Sequence, residues 1–482
     1  MIGLYANLSR EELEARCASL EAVVEELRAT VQRQSGQIAD LQRRLAKKSK
    51  NSSNSSKPPS SDIVKPQGPG KGKDPKRPRG GQPGHPMHDP PCFGPDQIND
   101  IQRHELTCCP DCGGAVTLTD NAPHILQKVE LVQPTPWTVT QHETYAYYCE
   151  HCGQVHYAPM PAAVARGGML GPKSLAYIAY LKGVHHASFS TIRKHFRDVL
   201  GLPISRGRLA KAVHQVSDAL AQVHEQLAEA LIDQPSLRVD ETGHKDSGQQ
   251  HWTWCFRALS FTWFHIDRTR SSRVLRRVLG EQFKGVLGCD YFSAYRKYMR
   301  ECHVMVQFCL AHLIRDLKYL MTLPDAATAA YGRRLVQKLR DLFRVIHAAQ
   351  GLSAAALRRR LTKVSERIIR SATRRVPASR EAQALAERFR QHGRAYCQFI
   401  TTPEIEPTNN LAEQAIRFVV IDRRITQGTR GETGQRWSER IWTVLATCAQ
   451  QGRSAMQFLV DTVTAWVHGA SPPSLLPQPV PT

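Results

Sequence analysis

The sequence predicts a multidomain chain of mixed α+β and α/β class, and three observations carry that expectation. Apolar residues repeat every seventh position between Leu13 and Leu45. Two C-x-x-C pairs bracket a strand-rich stretch, and from residue 234 strand-like runs alternate with helix-like ones. At 482 residues the chain is longer than one hydrophobic core can serve, so about two to four domains are expected. Its formal net charge is +22, which costs self-repulsion in a compact state and points to a polyanionic partner. Nucleic acid leads and an anionic membrane surface is second. No apolar run is long enough to cross a bilayer, and the N-terminus lacks the charged-then-apolar order of a signal peptide. Thirteen scattered cysteines do not read as a secreted disulfide framework, so a reducing, cytoplasmic location is expected.

The first element, residues 8–48, reads as a coiled coil. Cys17, Val24, Val31, Ile38 and Leu45 fall at one seam position, and Leu13, Leu20, Leu27 and Leu41 at the other, with Gln34 interrupting the second series. Mostly β-branched residues at a with leucine at d favour a parallel dimer. A helix packed on its own chain would also bear an apolar face, but the sustained seven-residue spacing favours self-association. Residues 49–100 are rich in Ser, Pro, Gly and Lys and read as a disordered basic linker. Within it, KRPRGG can lay Arg77 and Arg79 along a phosphate backbone or into a narrow minor groove, unless it is a plain tether.

A zinc ribbon is expected over residues 104–160. Cys109 with Cys112 and Cys149 with Cys152 form two knuckles able to aim four thiolates at one structural zinc ion, with HILQKVELV and WTVTQHETYAYY between them as strands. Cys108 is spare, and His151 and His156 could compete as ligands. Residues 170–233 turn helical. STIRKHFRDVLG stops at glycine, Ser205 is placed to cap the next helix, and Leu209, Val213, Val216, Leu220, Val223 and Leu227 mark its buried face. Arg206, Arg208 and Lys211 open that helix, as in a helix-turn-helix that binds DNA, although a helical hairpin with a solvated basic face fits almost as well.

From residue 234 the runs LRVDETGH, HWTWCFRAL and FTWFHID read as three strands. A helix, the strand GVLGCDYF, a second helix and the strand HVMVQFC follow, leading into LAHLIRDLKYL. That order is the order of an RNase H-like sheet, in which Asp240 on the first strand would lie beside Asp290 at the end of the fourth. Two adjacent carboxylates repel unless a cation intervenes, and magnesium suits carboxylates together with phosphate oxygens. Two such ions would serve phosphodiester displacement, and they need a third acid. Residues 324–400 read as an arginine-rich helical insertion that does not supply it. Beyond lies PTNNLAEQAIR, where Asn409 and Asn410 can cap a helix carrying Glu413, with Arg417 one turn on to hold the carboxylate.

Alternation along the strand turns Glu241 away from Asp240, toward a surface or salt-bridge role. Asp246 and Asp267 read as solvated. Cys309 and His312 fit a metal site or a packed core pair. Arg423, Arg424 and Arg430 fit DNA contacts or a solvated loop. Residues 431–470 read as C-terminal packing helices and 471–482 as a disordered tail.

Taken together, RVDETG, LGCDYFSAY, CLAH and TNNLAEQAIRFVVIDRR resemble the catalytic core of insertion-sequence-66 family transposases, and NSSNSSKPPSSD, RGGQPGH and the paired knuckles resemble that family's N-terminal layout. Leu310 stands where the family often has Trp, and Gln414 where it often has Arg. The resemblance implies a DDE transposase with Asp240, Asp290 and Glu413 as its triad, in an RNase H-like domain formed by residues 234–323 and 401–430. It implies binding of terminal inverted repeats, cleavage and strand transfer with two Mg2+ (or Mn2+) ions. Double-stranded DNA of element ends and target would be the partner. A homodimer or higher oligomer through the coiled coil, accessory proteins of the same element and a bacterial, nucleoid-associated location also follow. Two other readings share these residues: an inactive zinc-containing DNA-binding regulator, and an RNase H-like nuclease that cuts without joining.

Overall fold

A computed structural model describes residues 9–48, 137–152, 154–157, 161–402 and 405–477, with residue 159 and short pieces between 94 and 115. The chain divides into two units, residues 67–141 and the remainder. Among described residues no helix is long and apolar enough to cross a membrane. Arg77, Arg79, Cys108, Cys109, Cys112 and the HILQKVELV run lie outside the described residues.

Helix α1 spans Arg10–Lys48. Its Ser9 Oγ accepts from the Glu12 amide while the Glu12 carboxylate accepts from the Ser9 amide, a reciprocal cap at the helix start. The seam stays open to solvent along its length, from Leu13 at 39% exposure to Leu45 at 72%. In the ribbon region, regular strand is confined to β1 (Ala146–Cys149) and β2 (Gln154–Tyr157), an antiparallel pair, among the described residues. Residues 137–145, expected as strand within WTVTQHETYAYY, have no regular structure.

Helices α2 (Ala162–Gly167), α3 (Pro172–Gly183), α4 (Phe189–Asp198), α5 (Arg206–Ala219) and α6 (Ala221–Glu229) form the next layer. Ser205 Oγ accepts from the Arg208 amide at 3.2 Å and starts α5. Leu209, Val213, Val216, Leu220, Val223 and Leu227 are all buried, so the apolar stripe runs unbroken across the α5–α6 junction.

The central sheet has five strands in the order β5-β4-β3-β6-β7. Its members are β3 (Ser236–Asp246), β4 (Gln249–Arg257), β5 (Thr262–Asp267), β6 (Val286–Cys289) and β7 (Met305–Phe308). The first three are antiparallel; β6 and β7 add in parallel beside β3. Parallel neighbours need a crossover, supplied here by α7 (Ser272–Leu279) and α8 (Ser293–Cys302), and β7 runs into α9 (Leu310–Met321). The arginine-rich segment forms α10 (Ala326–His347), α11 (Ala354–Thr373) and α12 (Arg380–His392). Then α13 (Asn410–Thr426) returns to pack on β3 and β4.

Strand β5 ends the sheet, and its free amides would be an exposed edge. Helix α14 (Glu432–Gln451) closes it with side chains one turn apart. Thr447 Oγ1 accepts from Thr262, Thr443 Oγ1 from Phe264 and the buried Glu439 from Ile266, at 3.1, 3.0 and 2.6 Å. Period four on the helix matches period two on the strand, so three successive outward amides are satisfied. Helix α15 (Ala455–His468) packs on α3. The tail expectation is corrected up to Pro477: Leu475 is buried and its carbonyl accepts from Gln451 Nε2 at 2.7 Å.

Candidate active site

The parallel register sets the first geometry. Ser236, Leu237 and Arg238 stand opposite Val286, Leu287 and Gly288, so two residues further on Asp240 and Asp290 occupy equivalent places. Neighbouring strands run about 4.8 Å apart. Burial and then repulsion from Glu241, Asp290 and Glu413 push the Asp240 carboxyl well above the usual carboxylate range. Burial also raises Asp290, against the pull of Phe292's amide, Arg270 and Arg388. Asp290 Oδ1 accepts from that amide at 2.9 Å, which fixes its orientation just past β6.

Glu413 comes from 123 residues beyond Asp290 in the sequence, and one residue seats it. Asn409 is buried, and its Nδ2 donates to the Val239 carbonyl at 2.9 Å, next to Asp240 on β3. Its amide donates to Cys309 Sγ at 3.2 Å. Two expectations are corrected here. Asn409 holds the N-cap position without a side-chain cap bond, because its amide group ties α13 to the sheet instead. The guanidinium on Glu413 is that of Arg315 on α9, at 3.1 and 3.4 Å, rather than Arg417's.

His312 and Cys309 complete the surroundings of Glu413. His312 Nδ1 lies 3.5 Å from Glu413 Oε1. Burial, then Arg315 and Arg388, lower the imidazole to about 3, leaving it neutral. Burial pushes the Cys309 thiol up to about 11 against three backbone amides directed at its sulfur.

The opposite side of β3 is built differently. Glu241 is buried, correcting a surface role, and the salt-bridge role is present: Arg270 Nε donates at 2.6 Å and the Tyr295 hydroxyl donates to its second oxygen. Arg270 stacks on Phe292, 3.8 Å from the ring centre, and on Trp252. Burial and Asp290 still outweigh these partners and push Glu241 up to about 7.

Asp246 and Asp267 are bonded rather than solvated. Asp246 accepts from Thr429 and the Gly431 amide, and Asp267 from Arg277 and the Thr269 amide. Arg388 of α12 was not legible as a site neighbour. It stacks on Tyr291 at 3.7 Å and pairs with Asp316, bringing the arginine-rich segment against the strand end that bears Asp290. Arg315 and Arg388 sat among many helical arginines, and nothing in their spacing set them apart.

Away from the acids, Arg206 and Lys211 are exposed, whereas Arg208 packs over Gly168, where an added Cβ would come 3.1 Å from Nη2. Arg423 Nη1 donates to Thr242 at 2.9 Å, while Arg424 and Arg430 are exposed. Cys149 ends β1 and Cys152 lies in the turn that follows, with Cys152 Sγ 3.3 Å from His156 Nε2. A cleft of about 1020 Å3, lined by His185, His186, His195, His214, Asp422 and Arg430 among others, opens between α3–α5 and the α13–α14 region.

Comparison with known proteins gives a consistent result. The model of a family described as "Transposase IS66 family" matches residues 167–436, and that of a family of unknown function matches residues 5–91. The chain is 21% identical over 407 residues to the uncharacterized protein y4hP of Sinorhizobium fredii (strain NBRC 101917 / NGR234), covering 76% of this chain and 72% of the relative. With the uncharacterized protein y4qI of the same organism it shares 23% identity over 342 residues, 64% of this chain and 62% of the relative.

Proposed function

Since the chain belongs to the IS66 family of transposases, whose model covers more than half of it, we propose that it is a DNA transposase of the DDE type. In this reading it binds the terminal inverted repeats of its element, cuts the ends and joins them to target DNA. The observation that supports this most directly is geometric: the parallel register sets Asp240 on β3 and Asp290 just past β6 at equivalent places, and Asn409 ties the start of α13, which carries Glu413, to the residue next to Asp240. The sheet order β5-β4-β3-β6-β7 supports an RNase H-like domain over residues 234–323 and 401–430, with 324–400 as its helical insertion.

The residues fit the hard cations that such chemistry uses. Half-buried carboxylates that repel one another, with burial and then that repulsion raising Asp240 well above the usual carboxylate range, are a donor set short of positive charge. Asp240, Asp290 and Glu413 would hold two Mg2+ (or Mn2+) ions, which supply activation of the attacking oxygen and stabilisation of the leaving one. The chain's own part is placement. Asn409 ties the helix of Glu413 to the strand of Asp240, the Phe292 amide orients Asp290, and Arg315 steadies Glu413.

The remaining modules fit DNA handling. The exposed seam of α1 favours a second copy as its partner, giving a homodimer or higher oligomer that holds two ends together. Arg206 and Lys211 on α5, with Arg208, Arg77 and Arg79, would grip phosphates, and Cys109, Cys112, Cys149 and Cys152 would hold a structural zinc ion. Strand transfer from a labelled element end in magnesium tests the reading. Wild type yields joined molecules and Asp290→Asn reduces them by about a thousandfold, ~4 kcal/mol of transition-state stabilisation. Wild-type joining by Asp290→Asn removes this residue from the mechanism, and cleavage without joined product identifies a nuclease instead.

A further inference from the structure

Beside the three acids lies a group of different chemistry. Cys309 Sγ, a His312 ring nitrogen and a Glu413 carboxylate oxygen all lie within 4.8 Å of one another. We propose that these three side chains form a binding site for a soft divalent cation of the zinc class, sharing Glu413 with the acid triad.

Local structure builds the site. Cys309 ends the β7 connection at the N-cap of α9, and C-x-x-H spacing turns His312 back over the same first turn. The helix start and the Asn409 amide direct backbone N–H groups at the sulfur, although burial outweighs them and keeps the thiol raised, so a thiolate here needs a cation beside it. His312 has a side chain only 10% exposed, and its Nδ1 has no hydrogen-bond partner among the described residues. A buried ring nitrogen is seldom left so, and a metal ion is one of the few groups that satisfies it.

Ligand chemistry selects the ion. Thiolate and imidazole favour zinc over magnesium, which takes oxygen donors. A tetrahedral zinc ion sets its donors about 3.3–3.6 Å apart; His312 Nδ1 and Glu413 Oε1 already lie 3.5 Å apart, so at most a small closure brings the group onto one ion, with the thiol proton released to solvent and a fourth position left open. Arg315 can keep the outer carboxylate oxygen as its partner. The consequence for catalysis rests on the transposase reading: Glu413 bound to zinc is no longer available to magnesium.

Metal analysis of the full chain after dialysis against zinc and a competing chelator tests the site. Cys309→Ser and His312→Gln each lose one zinc equivalent relative to wild type, while Asp240→Asn retains it. Cobalt in place of zinc gives a thiolate charge-transfer band that loses one cysteine's share in Cys309→Ser. If Cys309→Ser fails to fold, His312→Gln alone decides. Equal stoichiometry in wild type and a folded variant overturns the site. The shared ligand is tested by DNA cleavage: saturating zinc raises the half-maximal magnesium concentration more than tenfold. An unchanged requirement with the extra ion bound overturns the sharing. A chain that binds the extra zinc but cleaves no DNA in zinc-free magnesium refutes the transposase reading and leaves the metal site standing.

Discussion

Asp240 and Glu241 are neighbours on one strand, yet the two sides of the sheet treat them in opposite ways. Asp240 meets other carboxylates and has no cationic side chain among the main influences on it. Glu241 meets an arginine held by two aromatic rings and a tyrosine hydroxyl. Glu241 is buried and Asp240 half-buried, and the larger difference is the sign of the nearest charge. One environment is incomplete without an added cation, and the other is complete within the chain.

The largest test of this contrast is Asp240→Asn. Strand transfer falls by about a thousandfold or more, while thermal stability in chelator holds or rises because one repelling charge is gone. Glu241→Ala breaks the opposite environment: it strands Arg270 and costs about 3 kcal/mol, read as a lowered denaturant midpoint. Equal stability effects at the two positions would erase the distinction.

A subtler check uses pH. Asp240, Glu241 and Asp290 all have raised values in the folded chain, with Glu241 at about 7. Groups of this kind favour folding fully below the ordinary carboxylate range, and the contribution is lost as pH rises through their folded values. In chelator the melting temperature therefore falls between about pH 5 and pH 8 by several degrees, at about 2–4 °C per kcal/mol. Magnesium restores it at the upper end of that range, and Asp240→Asn flattens the profile. A melting temperature that rises over this range contradicts the repulsion. The smallest effect belongs to Asn409→Ala, which unties α13 from β3 for about 1–2 kcal/mol. Joining is reduced further than that loss of stability explains, because Glu413 is no longer seated.

How much of this was legible in the sequence depended on range. Strand and helix order from residue 236 followed from period-two and period-four patterns, and each of the five expected strand runs overlaps one observed strand. The stripe from Leu209 to Leu227 and the cap at Ser205 were read equally directly. The ribbon strand was read too long, because aromatic and β-branched content marks β propensity without saying how far pairing extends. The surroundings of the acids were the least legible. Arg270, Arg315 and Arg388 approach from elements distant in sequence, and an arginine aimed into a site has the same local pattern as one facing water. The tail as far as Pro477 was misread because its proline content hid Leu475, the leucine that docks.

By itself the sequence determined the long first helix, the order of the sheet's elements and the places of three acids on a strand, just past a strand and in a helix's first turn, since these follow from side-chain periodicity and turn chemistry between near neighbours. Only tertiary structure decided that Asn409 leaves its own helix to bond the sheet, that Arg315 rather than Arg417 pairs with Glu413, and that Glu241 is sealed while Asp240 is left short of charge. Those outcomes depend on burial and on Coulomb forces between residues far apart in the chain, which no local pattern encodes.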